Sequence, residues 1–251
     1  MFYDSEIHDE NRIVVFSTDE NISHLINCKI MICGGTFKSA PKNFEQIFIL
    51  QCNIRNKNLS LLYCFMKTKN KYFYNKLFEW LSKEIKEEVI KEKNIILDFE
   101  RASMNALKKF FTSSKFYGCN FHLGQIVWKR VQNMKFAQEL MRNYEVKLHF
   151  KMILALSFVP IDDVLLLTAR LNVSLKTEKS YDALRLFEWF KAEYLVENDS
   201  NKSISFWNVF DRTLNGIPRT TNSIEEKHRH LNNLVKVKQA SFFFNIKRIN
   251  N

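Results

Sequence analysis

Asn94-Ile-Ile-Leu-Asp98-Phe-Glu100-Arg-Ala102 is the stretch from which the rest of the chain can be read. Ile95, Ile96 and Leu97 form a short apolar run that ends in a carboxylate, the pattern of a buried strand delivering a charged side chain to its carboxyl edge. From Ala102 the spacing changes: Leu107 and Phe110-Phe111 fall on one helical face and Lys108-Lys109 on another. Phe116-Tyr117 then start a new strand, so the stretch reads as strand, helix, strand. Asp98 is the leading site candidate, and the same position would also suit a helix N-cap.

Working outward, Ile30-Met-Ile-Cys33 reads as a first strand that ends at Gly34-Gly35. Phe44 to Cys52 and Ser60 to Met66 are β-rich runs around the polar turn Arg55-Asn-Lys-Asn58, which predicts an antiparallel meander. Phe73, Leu77, Leu81, Ile85 and Val89 recur at four-residue spacing and predict an amphipathic helix over 72–91. From His122 to about Asn215 the text is helical. Trp128 and Val131 are three residues apart, Leu148, Met152 and Leu156 step by four, and Leu184, Phe187 and Phe190 line a later helix. Pro160 with Asp162-Asp163 predicts a break and a new start before the apolar run 164–171. Gly216-Ile-Pro218 ends this region, and a closing helix follows from Thr220, capped by Thr221 or Asn222, with Glu225 one turn in. In residues 1–25 the one apolar run, Ile13-Val-Val-Phe16, suits an extra edge strand or the remnant of an upstream domain.

Four blocks occur in a telling order. Gly34-Gly-Thr-Phe-Lys38-x-Ala-Pro41-x-x-Phe44-x-Gln46 comes first. Asp98-Phe-Glu-x-Ala and Cys119-x-x-His122-x-x-Gln125 follow, and Arg219-Thr-Thr-Asn222-Ser-Ile-Glu225-x-x-His228 is last. Together, over roughly residues 29–232, they resemble the transposase domain of Mutator-like elements (MULE). The resemblance implies a ribonuclease H-like α/β fold: three antiparallel strands plus two further strands in a mixed sheet, with a large helical insertion before the last acidic helix. The expected division is an N-terminal extension over 1–28, a core over 29–125, the insertion over 126–215, the closing helix over 216–240 and a tail over 241–251.

The resemblance also implies three carboxylates holding Mg²⁺ or Mn²⁺; by position these are residue 34, Asp98 and Glu225. Position 34 is glycine. Two-metal phosphodiester chemistry needs carboxylates that hold the ions about 3.5–4 Å apart, and hard oxygen donors suit Mg²⁺ or Mn²⁺. Without the first acid the site is expected to be impaired. Glu45 is the only acid between Glu20 and Glu79, and its place at the start of the next strand makes it a poor substitute. Three functions follow from the resemblance: a DNA-binding, transposase-derived protein with a degenerate site; an active cut-and-paste transposase using Asp98 and Glu225; or a non-enzymatic scaffold or repressor that assembles with full-length transposase. Cys119 and His122 have the spacing of a zinc half-site, but no second pair completes four ligands, which makes them a structural motif. No Cys/His cluster of metal spacing precedes residue 30, where relatives carry a zinc-binding DNA module.

Composition agrees with a polyanionic partner. The 251 residues are 46% hydrophobic, enough for a sizeable core, and carry a net charge of +11. Ten Lys or Arg stand between Arg101 and Lys151 against only Glu139 and Glu145. Lys38, Trp128, Lys129, Arg130, Arg219, Asn222 and His228 are the candidates for touching DNA, Trp128 through stacking beside two cations. No apolar run of eighteen residues and no signal peptide is visible, so a soluble intracellular, nuclear protein with no membrane partner is expected, alone or as a homo-oligomer. Five cysteines without framework spacing point to a reducing compartment, with Cys33, Cys52 and Cys64 as core residues of strands.

Overall fold

A computed structural model describes residues 2–6, 8–37, 40–55, 57–85, 92–195 and 202–234. The chain forms two compact units, one of residues 1–116 with 221–251 and one of residues 117–220.

The first unit is built on a mixed sheet. Its strands are β1 (Phe2–Asp4), β2 (Ile13–Phe16), β3 (Ile30–Thr36), β4 (Gln46–Ile54), β5 (Lys57–Met66), β6 (Asn94–Leu97) and β7 (Lys115–Gly118), in the order β1-β2-β5-β4-β3-β6-β7. The expected meander is β3-β4-β5, antiparallel throughout, and β6 joins β3 in parallel with Ile32 opposite Ile96. Extending that register by two residues sets Asp98 beside Gly34. Among the described residues seven strands replace the expected five. Ile13-Val-Val-Phe16 pairs with β5, and Phe2–Asp4 pairs with it in turn, so residues 2–4 and 13–16 are part of this sheet.

Burial explains why these residues are strands. Val14, Ile47, Ile49 and Phe65 pack on one face with Leu231 of α11 (Asn222–Leu234). On the other face Phe48 meets Tyr74 of α2 (Lys71–Glu84) edge to face, ring centroids 5.1 Å apart. With both faces covered, β4 is a continuous apolar run rather than an alternating one. Each fully buried Ile, Leu or Phe contributes roughly 1.5–3 kcal/mol, so the doubly covered strands carry most of the unit's stability. Cys33, Cys52 and Cys64 are buried in these strands, as their β-rich context predicts.

Helix α2 starts where Asn70 accepts from the amides of Tyr72 and Phe73, and it buries Phe73, Leu77 and Leu81 as the spacing predicts. It ends at Glu84; the last part of the predicted helix, 86–91, lies outside the described residues, as do Lys38 and the tail after 234. Helix α3 (Arg101–Phe110) follows β6. Lys93, 1% exposed, reaches from the start of β6 to the end of α1 (Asp19–Asn27) and donates to the carbonyls of Ile26 at 2.6 Å and Cys28 at 3.1 Å.

Among its described residues the second unit is helical after Gly118. It runs through α4 (Asn120–Asn133), α5 (Ala137–Arg142), α6 (Tyr144–Ala155), α7 (Val164–Thr177), α8 (Tyr181–Tyr194), α9 (Ile204–Trp207) and α10 (Phe210–Leu214). Phe187, Phe190 and Trp207 form its aromatic core. The expected break at Pro160 is a 3₁₀ turn, Ile161–Asp163, leading into α7. In α6 the four-residue stripe turns out to be two-sided. Leu156 is buried, but Leu148 and Met152 are exposed and the helix buries Val146, His149 and Ile153 instead. Periodicity locates a stripe, not which of two adjacent stripes finds a partner.

The glycine pair in β3 sets a steric test. A Cβ at Gly35 would come 2.6 Å from Gln46 Nε2 and 2.8 Å from its Cδ, a clash with a buried amide that is itself bonded to Tyr74. Gly35→Ala is expected to lower unfolding stability by about 1–3 kcal/mol in urea titrations, through overpacking and loss of the Gln46–Tyr74 bond.

Candidate strand-edge carboxylate site

The site in the first unit grows from the carboxyl ends of β3 and β6. Asp98 is the first residue after β6 and is half-buried. A Cβ placed on Gly34 would lie 3.8 Å from Asp98 Oδ2, so position 34 and Asp98 do address one point in space. What now occupies that point is hydrocarbon: Ile224 presents its Cγ2 3.1 Å and its Cδ1 3.5 Å from the same Cβ position.

Helix α11 brings the last block to this edge. It begins at Asn222, leaving Thr221 as the residue before it, and Thr221 Oγ1 donates to Asp98 Oδ1 over a long 3.4 Å. Ser223 Oγ donates to Gln51 Oε1 of β4 at 2.8 Å, which ties the helix start to the sheet. Glu225, half-buried, follows Ile224 in the first turn, where the helix dipole favours a carboxylate. Asn222 is exposed. His228 is 5% exposed, on the same helical face as Ile224 and Leu231, so the helix turns it inward rather than toward solvent.

A polar chain supports the edge from the other face. Gln46 Nε2 donates to Tyr74 Oη at 2.8 Å, and Tyr74 donates to Glu100 Oε2 at 2.8 Å. Burial pushes the Glu100 carboxyl above its ordinary value, the charges of Asp98 and Glu45 add to the rise, and Tyr74 and Lys69 oppose it. Burial also raises the Tyr74 phenol. Glu100 lies inside the Asp98-Phe-Glu motif, yet nothing in the sequence says that Tyr74, on a helix read only for its apolar stripe, would hold it. Ile224 carried no signal and Thr221 only that of a helix cap: each becomes part of the site because α11 returns to the sheet, 126 and 123 residues after Asp98.

The donor set can be weighed against a pair of divalent ions. Asp98 and Glu225 supply hard oxygens, but the first position supplies none and a methyl group fills its volume. The residues present therefore do not fit a three-carboxylate, two-ion centre.

The remaining candidates lie in the second unit. Cys119, fully buried, and His122 have ligand atoms within 4.8 Å of each other. Lys129 is exposed. Trp128 is half-buried and meets Phe150 edge to face at 6.2 Å, while the Arg130 guanidinium lies 5.4 Å over the Trp189 ring, so both pack within the helical unit. Arg219 is exposed, its guanidinium 5.7 Å over Phe158. Arg212, which carried no signal in the sequence, is 2% exposed and clamps the unit's two ends. Its Nη2 donates to the carbonyls of Gly118 at 2.7 Å and Arg219 at 3.2 Å, beside the Asn120 amide that donates to Arg219 at 2.9 Å. Burial lowers its pKa to about 10, which leaves it charged at neutral pH.

The class defined so far is a mixed α/β protein with a carboxylate at the end of a parallel strand and a returning acidic helix. Residues 30–125 match the family model described as the MULE transposase domain, which supports the MULE family and points to a transposase-derived function. That segment covers β3 to the start of α4 and includes Gly34, Asp98, Cys119 and His122. No curated protein matches the chain. Among the described residues no helix is long and apolar enough to cross a membrane.

Glu100 gives the site a pH signature. Its folded pKa is raised above the unfolded value of 4.5, so the folded state holds this proton more tightly than the unfolded one. Its contribution is fully favourable below pH 4.5 and is lost as pH rises through the folded value. Glu100→Gln keeps an oxygen to accept from Tyr74 and has no charge to bury. It is expected to be more stable than the parent at pH 7 and to lose that advantage at pH 4, as read by urea titrations at the two pH values.

Proposed function

We propose that this chain is a MULE-type, transposase-derived DNA-binding protein of ribonuclease H-like fold whose metal-dependent strand-transfer site is impaired at position 34. The observation that carries the reading is the Gly34, Asp98 and Ile224 geometry: a side chain at 34 would lie beside Asp98, and Ile224 stands in its place. The strand order supports the fold, with an antiparallel meander, a parallel strand bearing Asp98, and a helix bearing Glu225 that packs on β3. In a complete site, Mg²⁺ or Mn²⁺ would activate the attacking oxygen and stabilise the leaving one. Here Asp98 and Glu225 would hold at most a single ion, weakly, with Thr221 donating to the Asp98 carboxylate. Misalignment of a reacting group by about 1 Å is enough to lose two orders of magnitude in rate, so loss of a bridging ligand removes most activity.

The revertant tests this directly. Gly34→Asp places a second carboxylate against Asp98 and forces Ile224 aside, so without metal it should be less stable than the parent. Gly34→Asp/Ile224→Ala provides the room. In calorimetry the double variant should bind Mn²⁺ at least tenfold more tightly than the parent and should nick supercoiled plasmid, which the parent should not. A parent that nicks, with nicking abolished by Asp98→Ala, would overturn impairment.

A second reading, an active cut-and-paste transposase, draws on Glu100, whose carboxyl feels the Asp98 charge. If Glu100 replaced the missing ligand, Glu100→Gln would abolish nicking by the parent. For DNA contact the basic surface is the argument, with Lys129 and Arg219 both exposed. Lys129→Ala/Arg219→Ala should weaken binding to a duplex of any sequence and reduce the slope of log K against log salt by up to about 2.

A further inference from the structure

Helix α7 is amphipathic twice over. Val164, Thr168, Leu171 and Leu175 are buried in the helical unit. On the opposite side Leu165 is 61%, Leu166 52% and Val173 64% exposed, with Ala169 exposed between them. Asp162, exposed in the 3₁₀ turn that leads into α7, and Lys176, exposed in its last turn, continue the row. Asp162, Leu165, Ala169, Val173 and Lys176 are spaced 3, 4, 4, 3, a row symmetric about Ala169 that runs along one helical face, with Leu166 at its flank. One outward face thus carries an acid at one end, a base at the other, and apolar side chains around a central alanine.

We propose that two copies of this chain associate through α7, antiparallel, about a two-fold axis at Ala169. The row is self-complementary in that direction alone. About position 169, Asp162 falls opposite Lys176 of the second copy, and Leu165 opposite its Val173. Each pair occurs twice, as an isologous contact requires. At the axis the two alanines meet and let the backbones approach closely. The antiparallel arrangement also sets the two helix dipoles against each other favourably. A parallel pairing would put Asp162 on Asp162 and Lys176 on Lys176. A single fourteen-residue helix pair falls below the ~1,200 Å² of a standard interface, so a weak dimer is expected, with Kd on the order of 10 µM.

The proposal stands on the second unit alone and does not depend on the metal-site reading. It is tested by analytical ultracentrifugation of the full chain, freed of nucleic acid by nuclease, over roughly 2 to 200 µM. The parent should pass from monomer to dimer across that range. Ala169→Glu, which puts two carboxylates face to face on the axis, should weaken association at least tenfold while its thermal melt at low concentration stays unchanged. Asp162→Lys and Lys176→Glu should each weaken association, and the double variant should restore it. A parent that stays monomeric at the highest concentration overturns the proposal, which would leave the face to a different protein. A dimer indifferent to Ala169→Glu, or a double charge variant weaker than either single one, overturns it as well.

Discussion

The contact on which the first unit depends is the close approach of two elements to the bare backbone of β3. At Gly34 the side chain of Ile224 takes the space a Cβ would need on one face, and at Gly35 the amide of Gln46 takes it on the other. The strand is pinched between the start of α11 and the polar chain through Tyr74 and Glu100. This places the end of β3, the carboxylate after β6 and the first turn of α11 at one sheet edge. The same pinch separates architecture from chemistry. A glycine and an isoleucine hold the helix against the sheet at the position where the proposed reading expects an acid.

Polar groups do the rest of the positioning, because each one buried must find a partner. Lys93 joins the end of α1 to the start of β6, Ser223 joins α11 to β4, and Tyr74 joins α2 to the residue before α3. In the second unit Arg212 plays the corresponding part where the chain enters and leaves the helices. Lys93, Ser223 and Arg212 belong to no apolar stripe, and Tyr74 adds a polar tip to one. They decide where elements that hydrophobic burial alone would leave free to slide come to rest.

The two units differ in what they leave uncovered. The sheet of the first has helices on both faces and buries its apolar side chains almost completely. The second buries one face of α7 and exposes the other, together with Leu148 and Met152 of α6. That contrast, within one basic chain, is why the proposed self-association falls on the helical unit.

The elements and their order were legible in the residues. Ile95-Ile-Leu97 ending in Asp98, the meander from Ile30 to Met66, and the break at Pro160 all announce themselves through periodicity and turn chemistry, which are local properties of the chain. That position 34 is glycine, where the MULE resemblance implies an acid, could also be read from the residues. The partners could not be read, because they are set by contacts between residues far apart in sequence. Ile224 filling the space beside Gly34, Tyr74 holding Glu100, Arg212 clamping Gly118 to Arg219, and Met152 facing outward while His149 faces in depend on packing that periodicity does not encode. The sequence by itself determined which residues could carry chemistry and where the strands and helices lie. Only the tertiary structure decided which of them meet, because a side chain's neighbours are chosen by the return of distant segments and not by its own place in the pattern.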